Sequence, residues 1–183
     1  MKFVIQILFC FLSALLFFIS WPPNSFPIFI FIAFVPILWF VFNFNTGKKV
    51  FSTWFLYLSI FLTFFGLNFS LTSWVVNAHL GGGIFASCLK TFLMSIVLIL
   101  VYKIKKMIGE KHALISFPVL WLAFEYLHLN WDLTWSWLTL GNVFSENTSW
   151  IQWYEYTGVL GGSLWILIVN TLVYFALRKF LSN

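Results

Sequence analysis

Apolar runs long enough to cross a bilayer recur along the whole chain, and this more than any other feature restricts what it can fold into. Six can be drawn, at about residues 3–20, 27–43, 50–69, 84–102, 113–128 and 159–177. A hydrocarbon core of about 30 Å calls for roughly 20 predominantly apolar residues in a helix that satisfies its own backbone. Of the 183 residues, 62% are hydrophobic and only 8% are charged, too few charges to cover the surface of a soluble domain of this size. No segment alternates in the ten-residue pattern of a membrane β-barrel. The sequence therefore predicts an all-α, polytopic transmembrane helical bundle of about six spans, with residues 1–183 forming one transmembrane domain.

Local breakers separate the runs. Trp21-Pro22-Pro23-Asn24 ends the first, because proline lacks a donor and restricts its predecessor. Asn45-Thr46-Gly47 makes the second turn, Gly81-Gly82-Gly83 precedes the fourth span, and Thr157-Gly158 precedes the last. The basic residues then fall in order. Lys2, Lys48, Lys49, Lys103, Lys105, Lys106, Lys111, Arg178 and Lys179 occupy alternate span ends, while connections 21–26, 70–83 and 129–158 hold no Lys or Arg. The positive-inside rule puts both termini in the cytoplasm and the stretch 129–158 outside. The net charge of +5 is thus a topology signal, with no basic patch for nucleic acid. The first run is followed by Trp-Pro-Pro where a cleaved signal would show small residues, so an uncleaved span is expected.

The outer loop carries Trp131, Trp135, Trp137, Trp150 and Trp153. Taken singly, each indole suits an interfacial belt. Taken together, with Gly141-Asn142 for a backbone turn, they suit an interface-lying or re-entrant segment that shapes a lipid-facing crevice. Glu125 stands near the outer end of span five, with His128 one turn on. It is either an acid snorkelling outward or a carboxylate held by a specific polar contact or a substrate. Lys90, inside span four, is placed to snorkel outward. Gly158 and Gly162 form a G-x-x-x-G that suits close helix packing, and Asn170 sits deep in the same span, where it suits an interhelical hydrogen bond. Cys10 and Cys88 lie in apolar runs as packing residues, and the scattered histidines, His79 among them, show no metal-ligand spacing.

The stretch from Pro118 to Asn170 resembles the membrane region of apolipoprotein N-acyltransferases, matching at Pro118, Leu120, Trp121, Glu125, Leu127, Trp137, Leu138, Gly141, Gln152, Thr157, Gly158, Gly161 and Asn170. Upstream, "SWPPNSFPIFIFIAFVPILWF" and "GLNFSLTSWVVNAHLGGG" look like the family's first hairpin and its Ser-Trp-Val-to-glycine segment. Tyr126, His128 and Trp135-Ser136 depart from the family pattern of Trp, Arg and Phe-Pro. The resemblance implies a multi-pass protein of the bacterial inner membrane. It implies an enzyme that moves an acyl chain from membrane phospholipid to the N-terminal amine of a diacylglyceryl-cysteine lipoprotein, with no cofactor.

In that family a nitrilase-like module after further spans holds the Cys nucleophile, the Glu base and the Lys that stabilises the oxyanion. None of these transfers to a position in this sequence, so no catalytic residue is assigned. The expected role is the membrane platform of such an enzyme, truncated or split, working with a separate chain that carries the nitrilase-like domain and inactive by itself. Trp74, Glu125, Trp137, Gly141, Asn142 and Gln152 are expected to shape the outer crevice through which substrates reach it. The alternatives are a non-catalytic lipid-binding scaffold and a small transporter, for which Asn170, Lys90 and a break at Pro36 would be the relevant features.

Overall fold

The computed structural model describes residues 2–22, 26–44 and 50–182. Six α-helices form the bundle: α1 (Lys2–Ser20), α2 (Val35–Asn43), α3 (Val50–Thr72), α4 (Leu80–Ile108), α5 (Glu110–Leu129) and α6 (Tyr154–Ser182). Single 3-10 turns precede α2 (Pro27–Ile32) and follow α3 (Ser73–Asn77), and three more (Ser136–Leu138, Leu140–Phe144, Thr148–Trp150) structure the connection from α5 to α6. Among the described residues, four helical stretches are long and apolar enough to cross a membrane: Thr53–Asn77, Leu80–Ile108, Glu110–Leu129 and Tyr154–Leu181. Val4–Ser20 and Pro27–Asn43 are shorter apolar helices.

The expected second span, 27–43, is broken. It starts as a 3-10 helix with Pro27 at its first positions, passes Ala33 and Phe34 in helical torsions but with its hydrogen-bond ladder interrupted at Phe34 N–H, and resumes as α2 with Pro36 in the first turn. In hydrocarbon such a break leaves backbone groups without water to satisfy them. Two side chains from other helices supply the partners. Asn170 of α6 accepts from Phe34 N–H at 2.8 Å and donates to the Ile30 carbonyl at 2.8 Å and the Ile166 carbonyl at 2.9 Å. Ser13 of α1 donates to the Ala33 carbonyl. The break also seats Phe34 at the centre of the core, edge-on to Phe17 at 4.7 Å, Trp121 at 4.6 Å and Phe117 at 5.1 Å.

Helix α4 runs 29 residues, about 44 Å, so it exceeds the hydrocarbon thickness. His79 caps its start by accepting from Gly82 N–H at 2.8 Å. Its end turns directly into α5 through Gly109, where φ is 101°. The expected connection 103–112 is therefore mostly helix, and Lys103, Lys105 and Lys106 lie on the last turns of α4. The start of α5 and the close of α2 meet the end of α6. Arg178 Nε lies 3.3 Å from Glu110, Tyr174 donates to the same carboxylate at 3.1 Å, and Arg178 donates to Asn43 at 2.8 Å. Lys105 donates to the Phe42 and Phe44 carbonyls at the close of α2. The described basic residues outside α1 and Lys90 thus gather at one end of the bundle, and the loop between α5 and α6 lies at the other. Lys48, Lys49, Pro23, Asn24 and the Asn45-Thr46-Gly47 turn lie outside the described residues, and nothing is described of the Lys2 side chain.

Helix α6 also differs from expectation. It begins at Tyr154, not 159, and Gly158 interrupts it with φ 65° and ψ −175°, a backbone conformation open to glycine and costly for other residues. Gly158 and Gly162 therefore do not form one helical ridge for a neighbour to pack on. Gly162 serves the local fold, since a Cβ there would overlap the Tyr154 hydroxyl.

Candidate functional site

The end of the bundle opposite the basic cluster is built by a folded-back loop. Glu125 and Lys90 anchor it. Both are buried, Glu125 with 4% and Lys90 with 3% of its surface exposed. One Glu125 oxygen accepts from the Trp121 indole at 3.2 Å and from Leu140 N–H at 2.9 Å. Lys90 Nζ donates to the Trp135 carbonyl at 3.0 Å. The two side chains form no ion pair within 4 Å. Glu125 is therefore the specifically bonded carboxylate, not a snorkelling one. Lys90 does not snorkel: it reaches inward to hold one end of the segment 135–140 while Glu125 holds the other.

Gly141 fastens the next turn of the loop to α6. Its N–H donates to Ser163 Oγ at 3.0 Å and its carbonyl accepts from the Tyr154 hydroxyl at 3.0 Å. A Cβ at this position would overlap the Val159 carbonyl, so the close approach depends on glycine. The function of Gly141 is thus contact with α6, more than the turn expected from its neighbour Asn142. Asn142 does take part in turn geometry, its N–H donating to the Thr139 carbonyl at 2.9 Å, and its side chain donates to the Ser136 carbonyl at 2.9 Å.

Between this loop and the ends of α1 and α3 lies a cavity of about 340 Å³. Trp74 and Trp137 form its rim, with ring centroids 5.5 Å apart and planes at 84°, and both rings are more than half exposed. Asn142, Ser145, Thr72 and Trp21 contribute to its walls. Three of the six residues expected at a crevice, Trp74, Trp137 and Asn142, therefore line one cavity, although 63 residues separate the two indoles. Glu125 and Gly141 lie behind it, as fixings of the loop. Gln152 stays apart, exposed, donating to the Thr148 carbonyl one turn back at 2.9 Å. Lys90 and Trp21 escaped the sequence reading of the site. A charge inside a span was a signal for the first, whereas Trp21 looked like a flank of the Pro-Pro turn.

Asn68, His128 and Glu125 add unusual polarity to this end. Asn68 Oδ1, both His128 ring nitrogens and Glu125 Oε2 are buried without a hydrogen-bond partner. Asn68 Nδ2 donates to Thr91 at 2.9 Å, and the His128 ring stacks on Phe124 at 5.7 Å. Asn170, by contrast, is fully engaged in sealing the second span, so the midspan polar group that would suit a transport pathway is committed to the backbone.

The Chlorobaculum tepidum apolipoprotein N-acyltransferase is 35% identical to this chain over 101 residues. The aligned stretch is 55% of this chain and 19% of that relative, so the match spans about a fifth of the relative's length. No solved structure matches the chain. The family model for the apolipoprotein N-acyltransferase N-terminal domain matches residues 13–172, which takes in the end of α1, all of α2 to α5, the whole indole-rich loop and most of α6. On that match the chain belongs to the family of apolipoprotein N-acyltransferase N-terminal domains.

Proposed function

We propose that this chain is the membrane platform of a lipoprotein N-acyltransferase of the bacterial inner membrane. The basic end faces the cytoplasm, and the cavity under Trp74 and Trp137 opens at the outer leaflet. There it receives phospholipid and the diacylglyceryl-cysteine end of the lipoprotein and presents their ester and amine groups to a nitrilase-like module that makes and breaks the bonds. The observation that carries this is the convergence of Trp74, Trp137 and Asn142 on one cavity, at the end of the bundle whose connections 70–83 and 129–158 hold no Lys or Arg. Family membership supports the acyl-transfer chemistry. The surroundings of Cys10, buried along an apolar groove between α1 and α3, support placing the thiolate chemistry elsewhere.

The test uses the purified 183-residue chain in vesicles of phosphatidylethanolamine and phosphatidylglycerol, supplied with a diacylglyceryl lipopeptide. The expected result is no acyl transfer, and capture of the lipopeptide by a photoreactive residue replacing Trp137 but not by one replacing Trp54, near the opposite end of α3. Acyl transfer by this chain alone, or equal capture at both positions, would overturn the proposal.

A further inference from the structure

An apolar groove of about 600 Å³ runs between α1 and α3 on the outside of the bundle. Phe11, Leu15 and Phe18 of α1 face Leu58, Leu62 and Gly66 of α3 across it. Phe11 and Leu62 are more than half exposed, so the groove is open along its side. Its upper end is the informative part. The groove extends to Phe18 on α1 and Ser70 on α3. The Trp74–Trp137 cavity begins at Trp21 and Pro22 just after α1, and at Leu71 and Thr72 at the end of α3. One feature takes over within three residues of the other on α1 and at the next residue on α3. The two are neighbours along both helices, the groove apolar and the cavity lined by indoles, an amide and hydroxyls.

From this adjacency we propose that the groove between α1 and α3 holds one acyl chain of a membrane diacyl phospholipid, with the glycerol and ester groups seated in the cavity under Trp74 and Trp137. The proposal rests on the platform function and adds the route by which the donor lipid enters. Dimensions and chemistry agree with it. From Ile7 to Phe18 the groove follows α1 for about 16 Å, close to the roughly 15 Å of one leaflet. The cavity, at about 340 Å³, is small for a peptide, and its described lining carries no charged side chain, which suits neutral ester and glycerol oxygens with the phosphate outside in the headgroup layer. Gly66 explains why the groove is there. A Cβ placed on it meets no heavy atom within 4 Å, so the missing side chain leaves room that no neighbour fills.

That open space supplies the test, because the Cβ of Gly66→Leu meets no heavy atom within 4 Å and the change replaces a poor helix former by a good one. The full chain is placed in vesicles of phosphatidylethanolamine and phosphatidylglycerol containing a trace of phosphatidylethanolamine with a diazirine midway along one acyl chain, and adducts are mapped by peptide mass spectrometry. Adducts are expected to concentrate on Phe11–Phe18 and Leu58–Gly66 and to fall at least fivefold in Gly66→Leu. Adducts on α4 and α5 should not change. Ala14→Phe, which narrows the groove from the α1 wall, should give the same loss. Equal labelling of all exposed apolar helices, or labelling of α1 and α3 that both variants leave unchanged, would overturn the proposal. So would groove adducts obtained only with a diazirine-bearing diacylglyceryl lipopeptide. Lipopeptide capture at position 137 without groove adducts would refute the groove alone and leave the platform function standing. Loss of both would refute the platform.

Discussion

Asn170→Ala removes the one amide that seals the break in the second span. Three hydrogen bonds disappear, to Phe34 N–H, the Ile30 carbonyl and the Ile166 carbonyl. The losses are unequal. The Ile30 carbonyl keeps Ala33 N–H at 3.3 Å, whereas Phe34 N–H, next to a fully buried ring, is left with no acceptor. An orphaned buried donor costs about 1–3 kcal/mol, and polar bonds between membrane helices average about 0.6 kcal/mol, so the loss sums to about 2–4 kcal/mol. Asn170→Asp keeps an acceptor for Phe34 but replaces the two amide donors by at most one hydroxyl donor and buries a carboxyl group, and it should also destabilise the break. Reversible unfolding in mixed micelles by titration with a denaturing detergent gives the magnitude, and hydrogen exchange of the Phe34 amide gives the site. A double-mutant cycle with Ser13→Ala, which frees the Ala33 carbonyl in the same break, should show a coupling of at least about 0.5 kcal/mol. If Asn170→Ala shifts stability by less than about 0.5 kcal/mol and leaves Phe34 exchange unchanged, the break is satisfied some other way and the account given of α2 fails.

Three further outcomes follow from the loop and the basic end. Lys90→Met leaves the Trp135 carbonyl without its donor and Glu125 without its neighbouring positive charge, so Lys90→Met/Glu125→Gln should melt at a higher temperature than Lys90→Met alone, by differential scanning fluorimetry in detergent. Gly141→Ala drives a methyl group into the Val159 carbonyl and should cost about 1–3 kcal/mol by overpacking, read as faster cleavage at Glu146 by a glutamate-specific protease than in the unaltered chain. Arg178→Gln breaks a pair in which both side chains are a third or more exposed, so it should lower stability by no more than about 1 kcal/mol, and raised salt should shrink the difference.

The helices were legible because membrane spanning is written in composition: about twenty apolar residues suffice as a signal whatever they later touch. Glu125 was legible only as one of two things, an acid snorkelling outward or a carboxylate held by a specific contact, and its bonds to Trp121 and Leu140 separate them. What the sequence hid were pairings across long separations. Nothing near Lys90 announces Trp135, 45 residues on, and nothing near Phe34 announces Asn170, 136 residues on. Pro36 marked a possible break in the second span but not the residue that would mend it. The glycines of α6 were misread for a different reason. A G-x-x-x-G spacing suits both a packing ridge and a helix that stops and restarts, and only the backbone angle at Gly158 separates them.

The distance in sequence between Phe34 and Asn170 also orders the birth of the protein. The ribosome makes helices α1 to α5 before residue 170 exists, so the interrupted second span enters lipid with a gap in its ladder of backbone hydrogen bonds. Insertion and completion are thus separate events, and the earlier helices stay provisional until the sixth arrives to close the seam.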